Sequence, residues 1–194
     1  MKKPSFDITL PQWVDDFIVN CPETFETAEE RIALAIALAR KNVSEKTGGP
    51  FGAAIFDDRG RLVAPGINMV TTAGSSLLHA EIVAIILAQK RTGRYDLSDG
   101  GRYYYELASS TEPCAMCLGA IPWSGLSSLI TAARDEDARH IGFDEGAKPA
   151  HWPEKLKERG IKVTSDIKRK EATEVMEEYK KTGGTIYNSG KLIL

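Results

Sequence analysis

The sequence is poor in the features that would place it outside ordinary globular enzymes. Its 194 residues include only three cysteines, Cys21, Cys114 and Cys117, an odd and low count that does not form the disulfide framework of a small secreted domain. No apolar run approaches the length of a membrane-spanning helix. The segment MKKPSFDITLPQWVDDF passes from two lysines into acids and prolines where a secretory signal needs an unbroken apolar stretch, so a cytoplasmic location is expected. Charge of one sign is also lacking: 25 Lys and Arg against 27 Asp and Glu leave a net charge of -2. Bulk charge therefore gives no reason to expect a nucleic-acid or membrane partner. Internal repeats and low-complexity segments are missing as well.

What remains is a chain long enough, and at 42% hydrophobic residues apolar enough, for one sizeable core. TAEERIALAIALARKNV, from Thr27 to Val43, predicts a buried helix with Thr27 as its cap and Glu30 three residues on. GGPFGAAIFDDRGRLVAPGINMV reads as a β-hairpin around an Asp-Arg-Gly turn. A helix from about His79 to Arg91 follows, and strands are expected at 103–110, 127–133 and 161–167, with helical segments between them, including EATEVMEEYKK. A hairpin followed by strands alternating with helices describes a three-layer α/β domain with a mixed sheet.

Two short stretches carry chemistry. In TEPCAMC, Cys114 and Cys117 are three apart, which on a helix puts them on one face, and Pro113 suits a helix start. Thiols at a helix amino end are biased towards thiolate and make a soft site for Zn²⁺. The same spacing serves a redox dithiol, and small cysteines also simply pack in cores. His79 opens an otherwise apolar helix, and alone it reads as a helix-end histidine; Glu81 alone reads as a first-turn acid favoured by the helix dipole.

Together, H-x-E followed by P-C-x-x-C is the signature of zinc deaminases. One histidine and two thiolates leave the fourth tetrahedral position open, as in catalytic rather than structural zinc sites. Glu81, two residues from His79, can address a reactant at that position without ligating the metal and serve as general acid and base. A structural zinc with Cys21 as fourth ligand is the rival from another class, but Cys21 precedes Pro22 in an irregular segment that nothing positions.

The chain resembles the cytidine-deaminase superfamily in the branch whose first ligand is histidine, and within it the bacterial-type guanine deaminases. The resemblance runs from roughly Thr27 to Tyr187 through GGPFGAAIF, GINMV, HAEIVAI, EPCAMCLGAIPWSG and IGFDEG. It implies a three-layer α/β/α fold with a central mixed five-stranded sheet, divided here into an amino-terminal extension (1–26), a zinc deaminase domain (27–180) and a carboxyl-terminal tail (181–194). It further implies His79, Cys114 and Cys117 as zinc ligands and Glu81 as the proton carrier. Asn68 is expected to hydrogen-bond a purine, with Phe51 and Trp123 against its ring and the Ala80 amide at its edge. Glu145 corresponds to a second acid, with Asp144 as its neighbour and competitor. In this family the tail is similar in reaching across a homodimer, so Tyr187 is expected to belong to an active-site lid. The implied reaction is hydrolysis of guanine to xanthine and ammonia, extending in some branch members to amino-triazines such as ammeline. A transfer-RNA adenosine deaminase is the runner-up, followed by a cytosine or guanosine deaminase. The first 26 residues and AKPAHWPEKLKERG (147–160) depart from the shorter members and bear on the rim of the pocket.

Overall fold

The computed structural model describes residues 7–188. Its elements are, in order, α1 (Gln12–Ile18), α2 (Ala28–Ser44), β1 (Gly52–Asp57), β2 (Leu62–Ile67), α3 (Val70–Ala73), α4 (Ala80–Thr92), β3 (Tyr105–Thr111), α5 (Ala115–Ser124), β4 (Ser128–Ala133), α6 (Asp135–Ile141), α7 (Trp152–Lys157), β5 (Lys162–Thr164) and α8 (Arg169–Lys181). The five strands form one sheet in the order β2-β1-β3-β4-β5. β1 pairs antiparallel with β2 and β3, whereas β3, β4 and β5 run parallel, so the sheet is mixed as expected.

Both faces of the sheet are covered, which is why its central strands are apolar without interruption. Along β1, Ala54 and Phe56 join a cluster with Leu38 of α2 and Val175 and Met176 of α8, while Ala53 and Ile55 face Ala84 of α4 and Ile121 of α5. That alternation is the two-residue period of a strand, and it defines the three layers.

The helix starts explain how the sequence positions its chemistry. Thr27 accepts from the Glu30 amide at 3.2 Å while the Glu30 carboxylate accepts from the Thr27 amide at 3.0 Å, a reciprocal cap that begins α2 where expected. α4 lies so close to β2 that a Cβ on Gly66 would stand 2.1 Å from the Ala80 carbonyl oxygen, so only glycine permits the approach. β5 stops short of the expected 161–167 because Asp166 adopts a left-handed backbone, φ 67°, and turns its carboxylate to Arg134 at 2.7 Å. Among the described residues, no helix is long and apolar enough to cross a membrane. Residues 1–6 of the extension and 189–194 of the tail lie outside the described residues.

Candidate active site

The amino ends of α4 and α5 meet beside the carboxyl end of β3. His79 and Cys114 occupy the N-cap positions of the two helices, both with extended backbone (φ -69°, ψ 156° and φ -62°, ψ 171°). Neither side chain caps its own helix. Each is turned to the other instead, Cys114 Sγ lying 3.4 Å from His79 Nδ1. The α5 helix begins two residues later than Pro113 implies, and Cys117 follows in its first turn. The donor atoms of His79, Cys114 and Cys117 all lie within 4.8 Å of one another.

The two thiols of the cluster differ sharply in acidity. A hydrogen bond from Cys117, helped by His79, holds the Cys114 thiol down to about 4, a thiolate at neutral pH. Sharing that bond, together with burial, pushes Cys117 well up. Two cysteines and an imidazole form a donor set suited to zinc, and a dication would draw the second thiol into the thiolate form as well.

Two carboxyl groups are buried near the thiolate. Glu81, in the first turn of α4, is pushed up to about 7 by burial and then by the Cys114 charge, with His79 opposing. Glu145, in the loop between α6 and α7, is pushed up to about 8 by burial, then by Cys114 and Glu81. Both are only 6% exposed, an unusual condition for acids outside a functional site. Asp144, next in line, is different. Its side chain is 62% exposed, accepts from the Gly146 amide at 2.9 Å and pairs with Arg139 at 3.5 Å.

These groups face a cavity of about 340 Å³. Phe51, Asn68, His79, Glu81, Cys114, Glu145 and Tyr187 all line it, bringing together most of the residues singled out in the sequence. Asn68, at the end of β2, accepts from the Val70 amide through Oδ1 at 3.3 Å, which orients its amide. Its Nδ2 is then buried with no hydrogen-bond partner among the described residues, as are Thr111 Oγ1 and Tyr187 Oη. Tyr187 reaches the cavity of its own chain, its ring 4.9 Å from that of Phe143 and 6.5 Å from that of His79.

Two of the residues expected at the base are not among those lining the cavity. Trp123 is 84% exposed and borders a separate depression with Asp96 and Arg159. It stands nine residues beyond Cys114 along α5, roughly 13 Å down the axis at about 1.5 Å per residue, so the helix carries it away from the cluster. Ala80, the first residue of α4, is fully buried and is not among the residues lining the cavity. An aromatic residue that the sequence does not single out, Phe143 of IGFDEG, lines the cavity and meets Phe51 edge-on at 4.9 Å. Ser109 and Thr111, two apart on β3 and so on one face, also line the cavity; their alternation was the available signal.

Residues 25–133 match the cytidine and deoxycytidylate deaminase zinc-binding region. Over 111 residues, 57% of this chain and 67% of the relative, the sequence is 44% identical to a guanine deaminase of Bacillus subtilis (strain 168). A solved structure described as guanine deaminase from Nitrosomonas europaea superposes with a TM-score of 0.86 at 41% identity, covering 91% of this chain and 97% of that one. A further solved structure, a complex with 2,6-diaminopurine, superposes with a TM-score of 0.86 at 43% identity, covering 94% and 96%. With the His-Cys-Cys cluster and the mixed five-stranded sheet lying inside the matched region or its structural equivalent, the chain belongs to the cytidine and deoxycytidylate deaminase family.

Proposed function

We propose that the protein hydrolyses guanine to xanthine and ammonia. The observation that carries this reading is the meeting, in one cavity, of the His79, Cys114 and Cys117 donors with two buried carboxyl groups and the unpartnered Asn68 amide. The relatives' names support the choice of guanine, and the 2,6-diaminopurine complex supports a purine with an amino group at C2.

His79, Cys114 and Cys117 would hold zinc. Bound there, zinc acts as a Lewis acid that makes water a competent nucleophile at neutral pH. Two thiolates balance the dication, so the cluster carries no excess charge against a neutral base. Glu81 removes the proton from the attacking water and passes it to a ring nitrogen. Asn68 Nδ2 donates to an acceptor on the purine, and Phe51 and Phe143 pack against the ring. Glu145 accepts a hydrogen bond from the guanine edge bearing the exocyclic amine and takes up the second water proton from the hydroxyl added at C2. It delivers that proton to the amine as the C2–N bond breaks, so that a carbonyl remains at C2 and ammonia leaves. A carboxyl held near neutrality suits both duties, since proton transfer works best when the pKa is close to ambient pH. Tyr187 closes over the cavity and excludes water from these transfers.

A cavity of about 340 Å³ stands at the small end of the roughly 300–1,000 Å³ usual for ligand pockets, which favours a free base over a nucleotide within RNA. The neighbouring α6 opens with Asp135, Glu136 and Asp137, a poor surface for transfer RNA. Ammonia release by the zinc-loaded protein is to be compared on guanine, guanosine, adenine, cytosine, ammeline and a transfer RNA. Guanine turnover abolished by Glu81→Gln is expected. Activity confined to another substrate overturns the roles given to Asn68 and Glu145.

A further inference from the structure

The loop bearing Glu145 lies in irregular chain, yet its acid is buried against a cluster built on two helices. What fixes that loop is found three residues beyond the acid. Lys148 has a side chain only 7% exposed. Its Nζ donates to the Pro113 carbonyl at 3.1 Å, lies 2.7 Å from Asp135 Oδ1 and 3.7 Å from Glu112 Oε2, and stands 5.7 Å from the centre of the Trp152 ring. Pro113 immediately precedes the Cys114 donor, and Asp135 is the first residue of α6.

Two backbone contacts complete the attachment. The Ala115 amide, left without a side-chain cap at the start of α5, donates to the Glu145 carbonyl at 2.9 Å. Gly146 adopts φ 70°, and a Cβ there would meet Ala115 Cβ at 2.9 Å, so the loop turns in close contact with the helix start. Arg139 holds the Gly146 carbonyl from the other side at 2.7 Å.

We infer that Lys148 is a positioning residue, which locks the Glu145 loop to the chain entering the Cys114–Cys117 helix. This rests on the reading of Glu145 as the second acid. A buried ammonium is retained only with close anionic or carbonyl partners, and here they come from two segments, Glu112 and Pro113 after β3 and Asp135 at the start of α6. The three partners make a joint between the loop, β3's continuation and α6. Lys148 does not reach the substrate; it keeps Glu145 at its distance from the reacting edge, where an error of about 1 Å can cost about 10²-fold in rate.

The test uses the full-length, zinc-loaded protein with guanine. Lys148→Met is expected to lower kcat by about 10- to 100-fold, more than it alters KM, with zinc content retained and the unfolding temperature lowered but still above the assay temperature. Lys148→Arg is expected to recover part of the loss. Lys155→Met, which removes the same charge from an exposed pair with Glu158, is expected to behave as wild type. Placed on Glu145→Gln, Lys148→Met is expected to cost less than about threefold more, because groups acting as a unit are not additive. Unchanged kcat in Lys148→Met overturns the inference, as does a full multiplicative loss on the Glu145→Gln background. Should Lys148→Met fail to fold, Asp135→Asn removes its nearest anion while keeping the lysine, and must show the same non-additivity with Glu145→Gln. Glu145→Gln retaining full activity overturns the second-acid reading instead, a separate result from an impaired Glu145→Gln beside an unaffected Lys148→Met.

Discussion

The two sides of the cavity are built by different means. His79, Glu81, Cys114 and Cys117 stand at the first turns of α4 and α5, helices packed on the central sheet, with Gly66 allowing α4 to come within reach. Phe143, Glu145 and Tyr187 stand on chain without regular structure, held by aromatic edges, scattered hydrogen bonds and, at Glu145, the Lys148 joint. The first arrangement fixes reacting atoms relative to one another. The second surrounds the substrate and admits change without disturbing the sheet, as loops on a rigid scaffold generally do. On this view the helix-borne groups perform a hydrolysis common to many bases, and the loop-borne groups choose the base.

The contrast is broken most severely from the helix side. Cys117→Ala is expected to lose both metal and turnover, with activity at background and zinc absent by elemental analysis; a metallated, active variant removes Cys117 from the site. Chelation of the wild-type protein should also lower its unfolding temperature. Without a cation, the Cys114 thiolate shares its pocket with two acids, a cluster of like charges that only protonation relieves. Glu81→Gln should keep its zinc and lose turnover by about 10²- to 10⁴-fold, the range for a general acid–base group. Retained activity would remove the role given to Glu81.

Next comes the loop side. Glu145→Gln is expected to lower guanine turnover by about 10²-fold while Asp144→Asn changes it by less than about threefold, since the Asp144 carboxylate is turned to Gly146 and Arg139. Kinetics on both variants with equal zinc loading decides it, and the reverse ranking moves the second acid by one residue. If the loop chooses the base, Glu145→Gln should also narrow the gap between guanine and adenine, whereas Glu81→Gln should depress all substrates alike.

The same division governs what could be read from the sequence. H-x-E and C-x-x-C each lie within one helical turn, so residue spacing alone nearly specifies their spatial relation, and the capping box at Thr27 marks α2 for the same local reason. The resemblance implies Trp123 at the pocket, but the rise of the helix carries it away from the cysteines. Phe143 and Lys148 owe their places to tertiary contacts with β1's approach and with Pro113, which no local pattern announces. The short helices α1, α3, α6 and α7, of four to seven residues, are too brief for a clear 3.6-residue period. Trp152 and Leu156 of α7 nonetheless enter the core, so a segment that reads as a departure from the family is part of the packed domain.

A smaller effect than that of Glu145→Gln is expected at Tyr187, and it separates two meanings of a buried hydroxyl. Tyr187→Phe keeps the ring against Phe143 and removes only Oη, which is buried without a partner among the described residues. Burial raises the phenol strongly, so the group remains a neutral donor at any working pH. An unsatisfied hydroxyl costs stability, and its removal should leave the unfolding temperature unchanged or slightly higher. If Oη finds its partner on the bound purine, KM for guanine should rise by about two- to tenfold, the worth of one net hydrogen bond, with kcat little altered. A rise in stability with unchanged KM would instead make Tyr187 a cover that touches nothing polar, and would leave Asn68 and Glu145 as the groups that recognise the base.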